Sequence, residues 1–173
     1  MTGESKALTI LEEWHSNIDA KVKPLEELHK NRLECRAGCS QCCVDELSVF
    51  EVEADRIRAH CQDILTEQPH PKGACAFLNT EGMCRIYENR PYVCRTQGLP
   101  LRWLEEGEDE VFEYRDICEL NDKGPALEEI APDQFWTLGE SEGELAQMQF
   151  EAHGPKMARV VLRELFKPCP PKD

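Results

Sequence analysis

The sequence predicts a mainly α fold with a small irregular or hairpin element, gathered as one compact domain around a cluster of cysteines. Three observations lead there. The chain has 173 residues, enough for one domain that buries about 70% of its unfolded surface. Apolar residues recur at helical spacing in its first and middle thirds. Ten cysteines are present, and most of them fall in short, closely spaced groups.

Taken in order, Leu8, Leu11, Ile18, Val22, Leu25 and Leu28 mark the apolar face of an N-terminal helical arm over residues 1–34, with Pro24 expected to kink or split it. The run from Cys35 to Cys43 has no period and reads as a loop folded around something. Ser48 and Glu51 have capping-box spacing, and Ala54, Ile57, Cys61, Ile64 and Leu65 then define the buried side of a helix that His70, Pro71 and Gly73 end. Short apolar runs flank Glu81-Gly82, which suits a hairpin or knuckle between Cys75 and Tyr87. Pro91 starts a short helix carrying Cys94. The acidic stretch Leu104–Glu113 reads as an exposed loop, and the segment Thr96–Trp103 before it as core filling or the lining of a cleft. Asp133–Leu138, Glu144–Phe150 and Met157–Leu165 read as helical pieces, and Pro168–Asp173 as a frayed tail. The organisation predicted is thus an arm (1–34), a cysteine module (35–123) and a helical extension (124–173) packed on the same domain.

Acidic residues outnumber basic ones by 34 to 20, for a net charge of -14. Such a surface repels nucleic-acid backbones and anionic lipid, and no apolar run reaches the roughly 20 residues of a membrane helix. Neither nucleic acid nor membrane is expected as a partner. The N-terminus lacks the basic region and apolar core of a secretory signal, so the expected compartment is the cytoplasm. Thiols are kept reduced there, and clustered cysteines point to metal or catalysis more than to disulfides.

Eight of the cysteines form an ordered constellation: Cys35-x3-Cys39-x2-Cys42-Cys43, then Cys75-x8-Cys84-x9-Cys94, then Cys118. Cys61, on an apolar helix face, and Cys169, between two prolines, stand apart as structural or incidental thiols. Four thiolates satisfy either a structural zinc or a [4Fe-4S] cluster, so eight suffice for two sites or for one with spares. Adjacent residues point away from each other in most backbone conformations. Cys42 and Cys43 are therefore expected to serve different centres, unless only one of them is a ligand. The Cys35-Cys39-Cys42 spacing equals that of radical-SAM enzymes, but the strand–helix alternation of their barrel is missing. None of the five histidines lies at ligand spacing from a cluster cysteine.

The run CRAGCSQCC, the following SVFEVEADRI and the segment CAFLNTEGMCRIYENRPYVCR resemble the YkgJ-type cysteine-cluster family of zinc- or iron-chelating domains, also described as Fe-S-cluster-containing proteins. The resemblance spans about Cys35 to Cys118. It implies metal ligation by Cys35, Cys39, Cys42, Cys43, Cys75, Cys84 and Cys94. The family's later cysteine falls on Cys118, here followed by Glu119-Leu120 where the family often has Pro-Gly. The resemblance supplies no reaction, and the same domain occurs within flagellin lysine methylases. Arg90 and Arg95, beside Pro91 and Cys94, are candidates for offsetting the charge of a thiolate centre from just outside its ligands. The functional expectation is one or two iron-sulfur clusters, of the [4Fe-4S] type, for electron transfer to a redox partner or for cluster-based chemistry. The alternative is a zinc-stabilised module that binds a protein partner.

Overall fold

Helix α1 (Gly3–His29) is the longest element of the computed structural model, which describes residues 3–166. Leu11, Trp14, Ile18 and Val22 are buried along one of its faces, while Leu28 is exposed. The helix runs unbroken through Pro24 rather than splitting there. A proline in a helix interior costs about 3 kcal/mol, and the packing on both sides of it offsets that cost. Leu25 packs on the core, and the His29 ring donates to the Gln134 carbonyl at 2.7 Å.

Strand β1 (Ser48–Phe50) follows the first cysteine loop, and helices α2 (Glu51–His60) and α3 (Gln62–Thr66) follow it. The expected capping box does not form. The hydroxyl of Ser48 accepts from Arg159 Nε at 3.1 Å, and the strand holds Ser48 opposite Val161. The start of α2 is capped from far along the chain instead: the fully buried Gln149 accepts the Val52 N–H on Oε1 at 2.9 Å. Cys61 sits at the break between α2 and α3.

The Cys75–Tyr87 segment forms the expected knuckle, closed by an antiparallel bridge between Leu78 and Cys84. Helix α4 (Tyr92–Arg95) starts after Pro91, as its position predicts. Strands β2 (Leu101–Glu106) and β3 (Val111–Asp116) then form a hairpin in which Trp103 faces Tyr114 and their rings stack at 5.4 Å. This corrects the expected acidic loop. An acidic tip is flanked by Trp103-Leu104 on one strand and Val111, Phe112 and Tyr114 on the other, and cross-strand pairs stabilise a hairpin whose two faces are largely exposed. Strand β4 (Trp136–Thr137) adds parallel to β2.

Helix α5 (Glu140–His153) contains the predicted Glu144–Phe150 piece. The expected last helix is instead strand β5 (Arg159–Val161), paired antiparallel with β1, and a 3-10 turn over Leu162–Phe166. Val160 and Val161 favour that pairing, since β-branched side chains fit a pleated surface. The Asp133–Leu138 piece is a 3-10 turn followed by β4. With five strands in two small sheets among the described residues, the architecture is mixed α and β rather than mainly α. The predicted tail, with Cys169, lies outside the described residues.

Two apolar cores organise these elements. The first joins Leu11, Trp14, Ile18 and Val22 of α1 to Val52, Tyr92, Leu99, Trp136 and Leu145. The second gathers Val49, Ala54, Ile57, Cys61, Phe77, Ile86, Leu162 and Leu165, and Cys75 and Cys84 pack against its margin. The cysteine loops thus rest on a packed base that reaches both ends of the described chain.

Candidate metal centre

Two tight turns set the first cysteine run. The Cys39 N–H donates to the Arg36 carbonyl and the Cys43 N–H to the Ser40 carbonyl, each at 2.9 Å. The knuckle joins this run directly, because the Cys75 N–H donates to the Cys43 carbonyl at 2.8 Å. Gly82, at the knuckle's tip with φ +76°, lies so close to this loop that a Cβ there would come within 3.3 Å of the Gly38 carbonyl. Cys94 reaches the same region from α4, whose first N–H, on Tyr92, is held at 2.7 Å by the buried Glu53 carboxylate.

The electrostatic neighbourhoods of the sulfurs overlap at Cys42. Cys35 is influenced by Cys39, Cys42 and Cys118. Cys43 is influenced by Cys42, Cys75 and Cys94, Cys75 by Cys84, and Cys94 by Cys75, Cys84 and Cys42. Cys42 sits at the boundary and hydrogen-bonds its neighbour Cys43. That bond pulls the Cys42 thiol down to about 6 and pushes Cys43 up, so the pair gives up its first proton readily and its second with difficulty. Burial, reinforced by the other sulfurs, pushes Cys94 up to about 12, and burial also raises Cys35, Cys75 and Cys84. In each of these thiols burial disfavours the bare thiolate, and a bound cation would offset that cost.

All nine cysteines among the described residues are free thiols. Their donor set, soft sulfur throughout, suits zinc or iron. Among the described residues no group of three or more Cys, His, Asp or Glu side chains is arranged to hold a metal ion. Cys61 stays apart, 3% exposed within the second core.

The arginines divide by role. Arg90 stacks over Tyr87 at 4.2 Å, and its charge favours the thiolate forms of Cys42 and Cys84. Arg95 instead turns toward α1, bonding Asp19 and the Arg90 and Glu88 carbonyls. Arg85 pairs with Glu67 and donates to the Ala76 carbonyl. Four histidine side chains are engaged elsewhere: His15 with Glu53, His29 with Gln134, His60 with Glu12 and His153 with Asp55. Thr96 and Leu99 are buried, so the segment after Cys94 serves largely as core filling.

Three contributors escape sequence reasoning. Asn121 donates to Cys35 Sγ at 3.4 Å. Gly98 lies against the same sulfur, where a Cβ would stand 2.4 Å from Cys35 Sγ, closer than any side chain allows. Arg163 clamps the approach to Cys75, donating to Asp45 at 2.7 Å and to the His70, Pro71 and Ala74 carbonyls. A glycine between polar residues and Leu-Pro carries a turn signal, whereas nothing in the spacing marks Asn121 or Arg163.

The Arg163 hydrogen bond, with help from the Gly73 N–H, holds the Asp45 carboxyl down to about 2. Its folded value lies below the ordinary one near 4. The clamp therefore stabilises the fold above about pH 4, and that contribution is lost as the pH falls toward 2. Chemical denaturation of Asp45→Asn and the parent chain across this range should give different midpoints at pH 6 that converge near pH 2.

No helix among the described residues is long and apolar enough to cross a membrane. No curated protein and no solved structure matches the chain significantly. The comparison that does match covers the cysteine constellation, from just before Cys35 to just after Cys118. Residues 34–119 fit the model of the CxxCxxCC family, described as a putative zinc- or iron-chelating domain, and this segment of the chain belongs to that family.

Proposed function

We propose that the chain carries two metal centres, each on four thiolates, and that both hold iron-sulfur clusters of the [4Fe-4S] type serving electron transfer or cluster-based chemistry. One centre takes Cys35, Cys39, Cys42 and Cys118, the other Cys43, Cys75, Cys84 and Cys94. The observation that supports this reading is the convergence of sulfurs remote in sequence: Cys35 feels Cys39, Cys42 and Cys118, whereas Cys43 feels Cys75 and Cys94, with Cys42 shared between the two. Eight thiolates are the number that two [4Fe-4S] clusters require. The Arg90 charge near Cys42 and Cys84 suits an electron-accepting centre, since positive charge beside a cluster raises its potential.

One observation favours the zinc reading. The loops that carry Cys35–Cys43 and Cys75–Cys84 have little regular structure of their own, which is the setting in which a structural zinc supplies folding free energy. Iron, zinc and acid-labile sulfide per chain, measured on protein purified without oxygen, separate the two. Iron and sulfide in matched amounts near eight support two cubane clusters. Two zinc ions without sulfide would replace the redox role with that of a metal-stapled binding module.

A further inference from the structure

Asn121 stands three residues beyond Cys118, at the opposite end of the constellation from Cys35, and is 1% exposed. Its backbone N–H closes a turn on the Cys118 carbonyl at 2.7 Å, which ties the side chain to that cysteine. The carboxamide oxygen accepts the Glu34 N–H at 2.7 Å, and Nδ2 donates to the Gly98 carbonyl at 2.8 Å. These partners settle which end of the amide is which, because a backbone N–H must meet the oxygen and a carbonyl must meet the NH2 group. The second Nδ2 proton is then left for Cys35 Sγ, 3.4 Å away. Arg32 secures the arrangement from behind, donating Nε to the Asn121 carbonyl at 3.2 Å and Nη2 to the Pro125 carbonyl at 3.1 Å. Gly98 leaves room for the sulfur where a Cβ would stand 2.4 Å from it.

We propose that Asn121 is a positioning residue of the Cys35 centre, holding the Cys35 sulfur by an N–H···S hydrogen bond and locking the first and last cysteines of the constellation to one point. The proposal rests on the metal-centre reading above. A sulfur ligand carries excess negative charge, and a neutral amide donor disperses it and fixes the side-chain rotamer. Aspartate is the informative replacement. It has nearly the same shape and keeps the acceptor for Glu34, but it loses the donor and turns a carboxylate oxygen toward the sulfur.

The test loads the full chain with cadmium-113. Cysteine β-protons should show scalar coupling to the metal, and so should an Asn121 side-chain amide proton, through N–H···S–Cd. In Asn121→Asp, competition with a chromogenic chelator should show cadmium binding weakened about 10- to 100-fold at one centre and unchanged at the other. Coupling at the cysteines without any at Asn121, or Asn121→Asp binding at parent strength in both centres, would overturn the proposal. If no cysteine proton couples to cadmium, the metal-centre reading itself fails and takes the proposal with it. The coupling is measured on the parent chain, so the result stands even where the aspartate variant folds poorly.

Discussion

Replacing Cys94 with serine is expected to remove the metal of one centre and leave the other loaded, so that metal per chain falls by half. Replacing Cys35 should do the same from the opposite side, and the double variant should bind none. Serine preserves size and shape but replaces a soft thiolate with a hard, weakly acidic hydroxyl. The loss is expected to be steep at Cys94, where burial and the neighbouring Cys75 and Cys84 hold the thiol at about 12. Cys61→Ala provides the control: this thiol packs among Ala54, Ile57 and Phe77 in the second core, and its removal should leave the metal content at the parent value. Elemental analysis of the purified variants decides the matter. A single shared centre would lose all of its metal in either variant.

Phe77→Ala should destabilise the fold by about 3 to 5 kcal/mol. The ring is 1% exposed and packs against Phe166 at a centroid distance of 4.8 Å, which joins the knuckle to the last described turn of the chain. Its backbone carbonyl accepts the Arg85 N–H at 2.9 Å, inside the segment bounded by Cys75 and Cys84. Removing the ring leaves a cavity in the core against which Cys75 and Cys84 pack, and an interior packed to crystal density relaxes only in part. Urea denaturation should show a lower midpoint with a similar slope. Because metal binding and folding are linked, loss from the Cys75 centre to a chelator should also speed up, while the Cys35 centre holds its metal longer.

What was legible in the sequence is local. The knuckle between Cys75 and Tyr87, the short helix after Pro91 and the burial of Cys61 each follow from a few neighbouring residues, and the structure places them as their turn and helix signals predict. The confusions were of period and of range. In the acidic stretch, carboxylate density hides the Trp103–Tyr114 pair that joins β2 to β3. At the C-terminal end, Val160 and Val161 fit a helical spacing as well as a strand, and only β1, more than a hundred residues earlier, selects the strand. The capping box failed for a related reason. Ser48 and Glu51 have the right spacing, yet Arg159 takes the serine hydroxyl and Gln149 supplies the cap.

The site divides along the same line. Grouping Cys35, Cys39, Cys42 and Cys43 needs only their spacing, whereas the hydrogen bond between the Cys42 and Cys43 side chains runs against the expectation that adjacent side chains point apart. The approach of Cys118 to Cys35 depends on the Asn121 turn, and that of Cys94 to Cys75 and Cys84 on the placing of α4. Neither contact leaves a mark on the spacing. Arg95 illustrates the opposite error: its place next to Cys94 suggests the centre, but Asp19 on α1 draws its guanidinium away.

Anomalous diffraction from crystals of the metal-loaded chain tests the two-centre division most directly. The account predicts two separate peaks, one bounded by Cys35, Cys39, Cys42 and Cys118 and the other by Cys43, Cys75, Cys84 and Cys94. A single peak shared by Cys42 and Cys43, or two peaks whose ligands mix these sets, would contradict it.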